Sequence, residues 1–163
     1  MTSVSKKDSV NSVILKKKIQ EDLKRALKEK DVLKRSVLTM LQSEMHNLEI
    51  EKKRALKKED IIEVITREVK KRKEAIEAYK KGGRNDLTET ERKELEILES
   101  YLPQKLSEEE LIKMIQEAIK ETGAESERDF GRVMGALMPK IRGQADGAEV
   151  SKLVKKELSK ISE

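Results

Sequence analysis

The stretch that decides the fold spans residues 101–147 and reads YLPQKLSEEELIKMIQEAIKETGAESERDFGRVMGALMPKIRGQADG. Pro103 stops the helix before it, because proline cannot donate the hydrogen bond that a helix interior needs. Ser107 with Glu110 three residues later is a capping box that opens the next helix. Gly123 accepts the left-handed conformation that closes it. The stretch therefore predicts a boundary between two subdomains, followed by short capped helices.

Two further helices are predicted beyond Gly123. Ser126 with Asp129 opens a short helix that must end at about Pro139. Asp146 then caps a last helix that runs to the end of the chain. Three segments after Pro103 thus carry apolar residues at helical spacing: Leu111, Ile115, Ala118 and Ile119; Phe130, Val133, Met134 and Leu137; Val150, Leu153, Val154, Leu158 and Ile161.

Apolar stripes before the boundary predict about four more helices. A break near Lys30 separates the first two, and the glycine pair that starts at Gly82 ends the third. Thr88 and Glu91 form a possible capping box for the fourth. The apolar positions are Leu15, Ile19, Leu23, Ala26 and Leu27; Leu38, Leu41, Met45 and Leu48; Ile62, Ile65, Val69, Ile76 and Tyr79; Leu95, Leu98 and Leu102.

The sequence thus predicts an all-α protein. No stretch alternates apolar and polar residues long enough to form a strand. We expect a disordered start over residues 1–12, an N-terminal bundle of about four helices over 13–102, and a C-terminal three-helix bundle over 103–163.

Composition restricts the possible functions. The 163 residues are 42% charged and 2% aromatic, with no cysteine and one histidine, His46. A thiolate nucleophile, a disulfide framework and a histidine-rich metal site are therefore excluded, and no phosphate-binding loop or zinc spacing is present. No apolar run approaches the roughly 20 residues that span a bilayer. We expect a cytoplasmic protein without membrane, metal or cofactor.

The net charge of +5 is unevenly distributed. Up to Leu102 there are 26 Lys and Arg against 20 Asp and Glu, a surplus of 6; from Pro103 onward there are 11 against 12, a deficit of 1. A basic surface with few aromatics favours polyanions such as nucleic acid. The RNA-binding candidates are Lys70, Arg72, Lys73, Lys80 and Arg84 in and after the third helix, and Lys140 and Arg142 near the last turn.

Each group of candidates also has a purely structural explanation. The basic residues of the third helix can form a solvated face paired with glutamates, and Arg72 borders the apolar stripe, where Glu68 or Glu94 could pair with it. Lys140 and Arg142 adjoin Gly143, which predicts a tight turn, and the nearby Asp146 disfavours phosphate there.

Other residues receive structural interpretations only. We expect His46 to be solvated, and we assign no metal to Glu108 and its acidic neighbours, which complement the helix dipole. Gly131 and Gly135 are expected to let a neighbouring helix pack closely.

One set of residues follows a distinctive order along the chain: Asn47, Glu49-Ile50, Arg67-Glu68, Arg72-Lys73, Tyr79, Gly83-Arg84, Asp86-Leu87, Glu94-Leu95, Leu98, Tyr101-Leu102-Pro103, Leu106-Ser107-Glu108, Gly123-Ala124, Gly131, Val133-Met134-Gly135, Met138-Pro139-Lys140, Gly143 and Ala145-Asp146-Gly147. With this set the chain resembles the YqeY-like family over about residues 16–161, and the part after Pro103 is similar to the tail domain of the B subunit of glutamyl/aspartyl-tRNA amidotransferases.

The resemblance implies a two-part helical fold. In the larger amidotransferase it also implies a tail that touches tRNA while the chemistry occurs elsewhere. Our leading hypothesis is a non-catalytic module that binds tRNA or another structured RNA by backbone and shape contacts, accessory to tRNA-dependent amidation. The alternatives are a protein-binding adaptor, docking an amidotransferase or a second copy of the chain, and a carbon–nitrogen ligase using glutamine as amide donor. The oligomeric state stays open.

Overall fold

The computed structural model describes residues 6–162, with side chains from residue 12 onward. Within that range every regular element is helical, which confirms the all-α prediction. Two compact units divide between Leu102 and Pro103. The helices are α1 (Lys6–Glu29), α2 (Val32–Lys52), α3 (Lys58–Lys81) and α4 (Asn85–Glu99) in the first unit, and α5 (Glu108–Thr122), a 3₁₀ turn (Glu127–Asp129), α6 (Phe130–Ile141) and α7 (Gly147–Ile161) in the second.

In the first unit α3 is central, because it packs against α1, α2 and α4. Its apolar face provides Ile61 and Ile65, both fully buried. Aliphatic side chains fill this core, as a sequence with so few aromatics requires. At the end of the unit, the hydroxyl of Tyr101 donates a hydrogen bond of 2.5 Å to Asp22 of α1. The core comprises Ile19, Val37, Leu38, Leu41, Met45, Leu48, Leu56, Ile61, Val64, Ile65, Val69, Leu98 and Tyr101, with Leu102 packed against it.

In the second unit α5, α6 and α7 pack pairwise around a separate aliphatic core. The segment before α5 is bound to the turn after α6, since the Leu106 N–H donates to the Gln144 carbonyl at 2.9 Å. Gly143 in that turn has φ +80°, the left-handed conformation that glycine adopts without strain. The core comprises Leu111, Ile115, Ala118, Ile119, Ala124, Val133, Leu137, Ile141, Val150, Leu153, Val154 and Leu158.

Three predicted helix ends agree with the structure. Ser107 and Glu110 form the capping box of α5, and Gly123 closes that helix with φ +69°. The side chain of Asp146 accepts a hydrogen bond from the Ala148 N–H at 2.8 Å at the start of α7. Side-chain caps of this kind are local interactions, so the sequence is enough to find them.

Two predicted helix starts are wrong. The disordered start predicted for residues 1–12 lies partly outside the described residues, but α1 already begins at Lys6. The capping box of Thr88 and Glu91 is absent, because α4 begins at Asn85 and Thr88 lies inside its first turn. There the Thr88 hydroxyl donates to the Arg84 carbonyl at 3.2 Å, so it bonds backward along the helix instead of capping its start.

The predicted end of α6 at Pro139 is also wrong, because the helix continues to Ile141 with the proline inside it. Pro139 lies in the last turn, where it removes only the hydrogen bond that its own nitrogen would have donated. Burial of Ile141 in the core of the second unit holds the chain in helical form beyond that point.

The close helix packing predicted at Gly131 and Gly135 is wrong as well. Both glycines lie on the exposed side of α6, and a Cβ atom built at either position meets no atom within 4 Å. Gly147, the first residue of α7, is equally open. No contact inside the second unit therefore requires glycine at Gly131 or Gly135.

Replacing Gly135 by alanine should stabilise the protein by about 0.5–1 kcal/mol, because alanine loses less backbone entropy in a helix and fits the open space. The substitution Gly131→Ala should raise the free energy of unfolding by less, because Gly131 lies next to the helix start. Chemical unfolding followed by circular dichroism measures both. A loss of stability in Gly135→Ala would show that the backbone before Pro139 needs a conformation that alanine resists.

Candidate nucleic-acid interface

The outward face of α3 carries lysines of two kinds. Lys70 and Lys73 are exposed, and neither has a carboxylate partner among the described residues. Lys80 has Glu77 at 3.8 Å, one turn before it. Glu74 follows Lys70 by four residues and Glu77 follows Lys73 by four, so the face has mixed sign. Of the candidates Lys70, Lys73 and Lys80, the first two can thus meet a phosphate without giving up an ion pair.

Arg72 has a different position, between α3 and α4. Its side chain is 17% exposed, and its Nε lies 3.0 Å from Glu94 Oε2 and 3.6 Å from Glu91 Oε2. Its Nη1 donates to Glu68 Oε2 at 3.3 Å, one turn earlier in α3. The prediction that Glu68 or Glu94 pairs with Arg72 is confirmed, and both do. A phosphate at Arg72 would have to compete with three carboxylates.

The cluster around Arg72 holds more negative than positive charge. Glu91 is partly buried beside Glu94, so burial and then the neighbouring carboxylate raise the pKa of Glu91 above its ordinary value, against the opposing attraction of Arg72. Lys71 reaches Glu68 at 3.1 Å from the solvent side. Arg72 therefore joins α3 to α4, and a charged Glu91 opposes that junction at neutral pH.

At the turn between α3 and α4, Arg84 pairs with an acidic neighbour. Its Nε lies 3.3 Å from Asp86 Oδ1, and both side chains are exposed. The hydrogen bond from Arg84 lowers the pKa of Asp86. Gly83, with φ +70°, closes the turn just before it. An exposed pair of this kind is weak, so Arg84 remains available to a stronger anion.

The basic run between α2 and α3 is organised by Asp60, whose side chain is 7% exposed. Lys52 Nζ and Arg54 Nη1 lie 2.6 and 2.7 Å from its oxygens, and the Lys57 N–H donates to it at 2.8 Å. Burial alone would raise the pKa of Asp60, but these hydrogen bonds together hold it well below its ordinary value. Lys52 and Arg54 therefore fix the loop.

In the second unit, Lys140 has a carboxylate partner and Arg142 has none among the described residues. Lys140 Nζ lies 2.8 Å from Glu121 Oε2 of α5. Arg142 is exposed, and no described carboxylate pairs with it. The start of α7 beside it is already capped by Asp146. Arg142 is thus the free cation of this turn.

Sequence reasoning missed a second basic surface, on α7. Lys152, Lys155, Lys156 and Lys160 are all exposed along one side of that helix. Their spacing of three and four residues indicates a shared face, and this signal was present in the sequence. The overall charge of the segment after Pro103 hid it, because the acidic residues of that segment concentrate on α5 and the loop that follows.

His46 lies on α2, beside a groove of the first unit. His46 is exposed, in agreement with the prediction, at the rim of a groove of about 350 Å³ between α1 and α2. Ile19 and Met45 also line this groove, as do Lys16 and Glu49, which form an ion pair of 2.7 Å. Across the part of the chain that the structure describes, no three metal-binding side chains come together.

Comparison with known proteins places the chain in a family. A family model described as Yqey-like protein matches residues 16–158. The chain belongs to this family. The resemblance inferred from the residue pattern is thereby confirmed at the level of the family.

Several fungal proteins are similar to this chain. Altered inheritance of mitochondria protein 41, mitochondrial, of Pyrenophora tritici-repentis is 29% identical over 84% of the chain and 77% of its own length. The protein of the same name from Candida glabrata is 28% identical over 71% of the chain and 68% of its own length. The protein of the same name from Lachancea thermotolerans is 33% identical over 53% of the chain and 46% of its own length, so the matched region spans about half of that relative.

Among residues 6–162 no helix is both long and apolar enough to cross a membrane.

Replacing Glu91 by glutamine should stabilise this YqeY-like protein at pH 7 by about 0.5–1 kcal/mol, because it removes a poorly placed buried charge. A raised pKa means that protonated Glu91 stabilises the fold below the ordinary pKa of 4.5, and that this stabilisation is lost as the pH rises through the folded-state value. The gain should therefore vanish near pH 4. Thermal unfolding across pH measures it, with the exposed Glu89→Gln as control.

Proposed function

We propose that this YqeY-like protein is a non-catalytic module that binds tRNA, or another structured RNA, by contacts to its backbone and shape. The observation that carries the proposal is that three of the predicted candidates are exposed and have no carboxylate partner among the described residues: Lys70 and Lys73 on α3 and Arg142 after α6. Free cations of this kind neutralise phosphates and release their counterions, without regard to base sequence.

The available aromatic surface favours backbone contacts over base stacking. Tyr101 is 7% exposed and bonded to Asp22. The ring of Phe130 is half-buried and is covered by Lys155 Nζ at 5.3 Å from its centre. Single-stranded RNA is recognised largely by stacking its bases on exposed aromatic rings. A folded RNA read through its phosphates is therefore the better match.

The resemblance of the part after Pro103 to the tail of the amidotransferase B subunit supports tRNA as the first candidate. On this basis we propose an accessory role in tRNA-dependent amidation. A carbon–nitrogen ligase activity with glutamine as amide donor is a less favoured alternative. Release of glutamate from glutamine by the pure protein, abolished by a single substitution, would establish that activity instead.

Binding of fluorescently labelled tRNA should weaken steeply as salt rises. The double variant Lys70→Gln/Lys73→Gln should lower the slope of log K against log salt by about 1.4–1.8, since each lost phosphate contact accounts for about 0.7–0.9. Fluorescence anisotropy measured from about 50 to about 300 mM salt gives both the affinity for tRNA and its salt slope.

The matched control is Arg92→Gln/Lys93→Gln, which removes the same charge from an exposed part of α4 in the same unit. It should keep the slope of the unaltered protein apart from a small general effect. Absence of tRNA binding at low salt would refute the proposed function. Equal losses in both double variants would instead mean that α3 has no specific part in it.

A protein-binding adaptor is the second candidate, and the exposed apolar side chains of α1 favour it. Val13 and Ile14 are 63% and 59% exposed, which is unusual for two adjacent large apolar residues and can mark a docking surface. The double variant Val13→Ser/Ile14→Ser should abolish capture of a protein partner while leaving tRNA binding unchanged. Affinity purification of both forms tests this, and an identical set of captured proteins would count against the adaptor.

The proposed function also includes a proposal for the cell compartment in which the protein acts. We propose a cytoplasmic location, as expected from the absence of cysteine in the sequence. The fungal relatives are named as mitochondrial proteins, so the mitochondrion is the alternative. Either compartment contains tRNA, and cell fractionation distinguishes them.

A further inference from the structure

The outward face of α7 is the most uniformly charged helix surface of the second unit. Lys152, Lys156 and Lys160 follow each other at intervals of four residues, so they span about 12 Å along one side of the helix. Lys155 lies beside them, with its Nζ 5.3 Å from the centre of the Phe130 ring. All four lysines are exposed.

Carboxylates do not interrupt this face. Glu157 is 6% exposed, and its oxygens accept hydrogen bonds from Gln116 at 3.4 Å and Lys160 at 3.0 Å. Glu149, at the start of the helix, is the remaining acidic residue of α7. Between Val150 and Ser162 no carboxylate is therefore exposed, whereas on α3 glutamates alternate with the lysines.

A shallow depression of about 460 Å³ lies at the end of the same helix. It is lined by Ser126, Ser159 and Ser162, together with Arg128 and Glu127. Arg128 is exposed and has no ion pair among the described residues. The guanidinium of Arg128 suits phosphate oxygens, although Glu127 reduces the positive charge at this end.

We propose that Lys152, Lys156 and Lys160, continued by Arg128, form a track that binds the phosphate backbone of a structured RNA. We call these four residues the α7 track. This inference rests on the proposed function and adds to it a second contact surface, one that lies in the unit resembling the amidotransferase tail. The α7 track binds phosphates by charge alone, because lysines act as flexible point charges.

The packing of α7 argues against a membrane as the occupant. A helix that lies on a bilayer inserts its own apolar face between the lipids. In α7 that face is formed by Val150, Val154 and Leu158, which are all 0% exposed in the core. Only the charged side of the helix is available, and a charged side without an apolar one suits a polyanion in water.

The test compares two double variants of the full-length protein in tRNA binding. Lys152→Gln/Lys156→Gln alters the track, and Lys113→Gln/Lys120→Gln removes the same charge from exposed positions of α5 in the same unit. We expect the track variant to bind tRNA about 30-fold more weakly at 0.1 M salt, with a salt slope lower by about 1.4–1.8. The control should change both quantities far less, and circular dichroism should show equal helix content in all forms.

Each other outcome has a distinct meaning. If the unaltered protein binds tRNA and the track variant binds it equally well, or if both variants lose the same affinity, the track is refuted while the proposed function stands. If the unaltered protein binds no tRNA at low salt, both fail. Vesicles containing phosphatidylserine provide a further comparison. Binding to them that only the track variant loses, with tRNA binding intact, would refute RNA as the occupant.

Discussion

The ion-pair cluster of Arg72 is the interaction on which the first unit depends. A guanidinium at the edge of an aliphatic core is tolerated only with carboxylates around it, and Glu68 of α3 and Glu94 of α4 supply them. The cluster thereby joins α4 to α3, a helix that also packs against α1 and α2. It also places two carboxylates of α4 close together, which is why the pKa of Glu91 is raised.

The same rule decides which cations remain for a ligand. Lys52 and Arg54 hold the loop around Asp60, and Lys140 ties α6 to α5 through Glu121. Their charges are already neutralised, so a phosphate gains little by approaching them. Among the candidate residues, those without a described carboxylate partner are Lys70 and Lys73 on α3, Arg142 after α6, and Lys152, Lys155 and Lys156 on α7. Net charge alone does not show this distribution, because the second unit is nearly neutral overall although α7 carries lysines of this kind.

Two glycines of α6 have no packing role in the second unit. Gly131 and Gly135 lie on an exposed helix side where no neighbour needs the space, and each lowers the stability of α6 relative to alanine. Their presence is thus explained by neither packing nor a positive φ. No contact in the structure accounts for them.

The sequence by itself determined the helical class, the break at Pro103 and several helix ends, because periodicity, proline and caps such as Ser107 and Asp146 act over a few residues. It also indicated that Arg72 needs a carboxylate, since Arg72 and Glu68 are one turn apart. Only the tertiary structure decided that α6 passes through Pro139, that Glu91 pairs across helices instead of capping one, and which lysines stay unpaired. These outcomes depend on burial and on contacts between segments far apart in the chain, which local patterns do not encode.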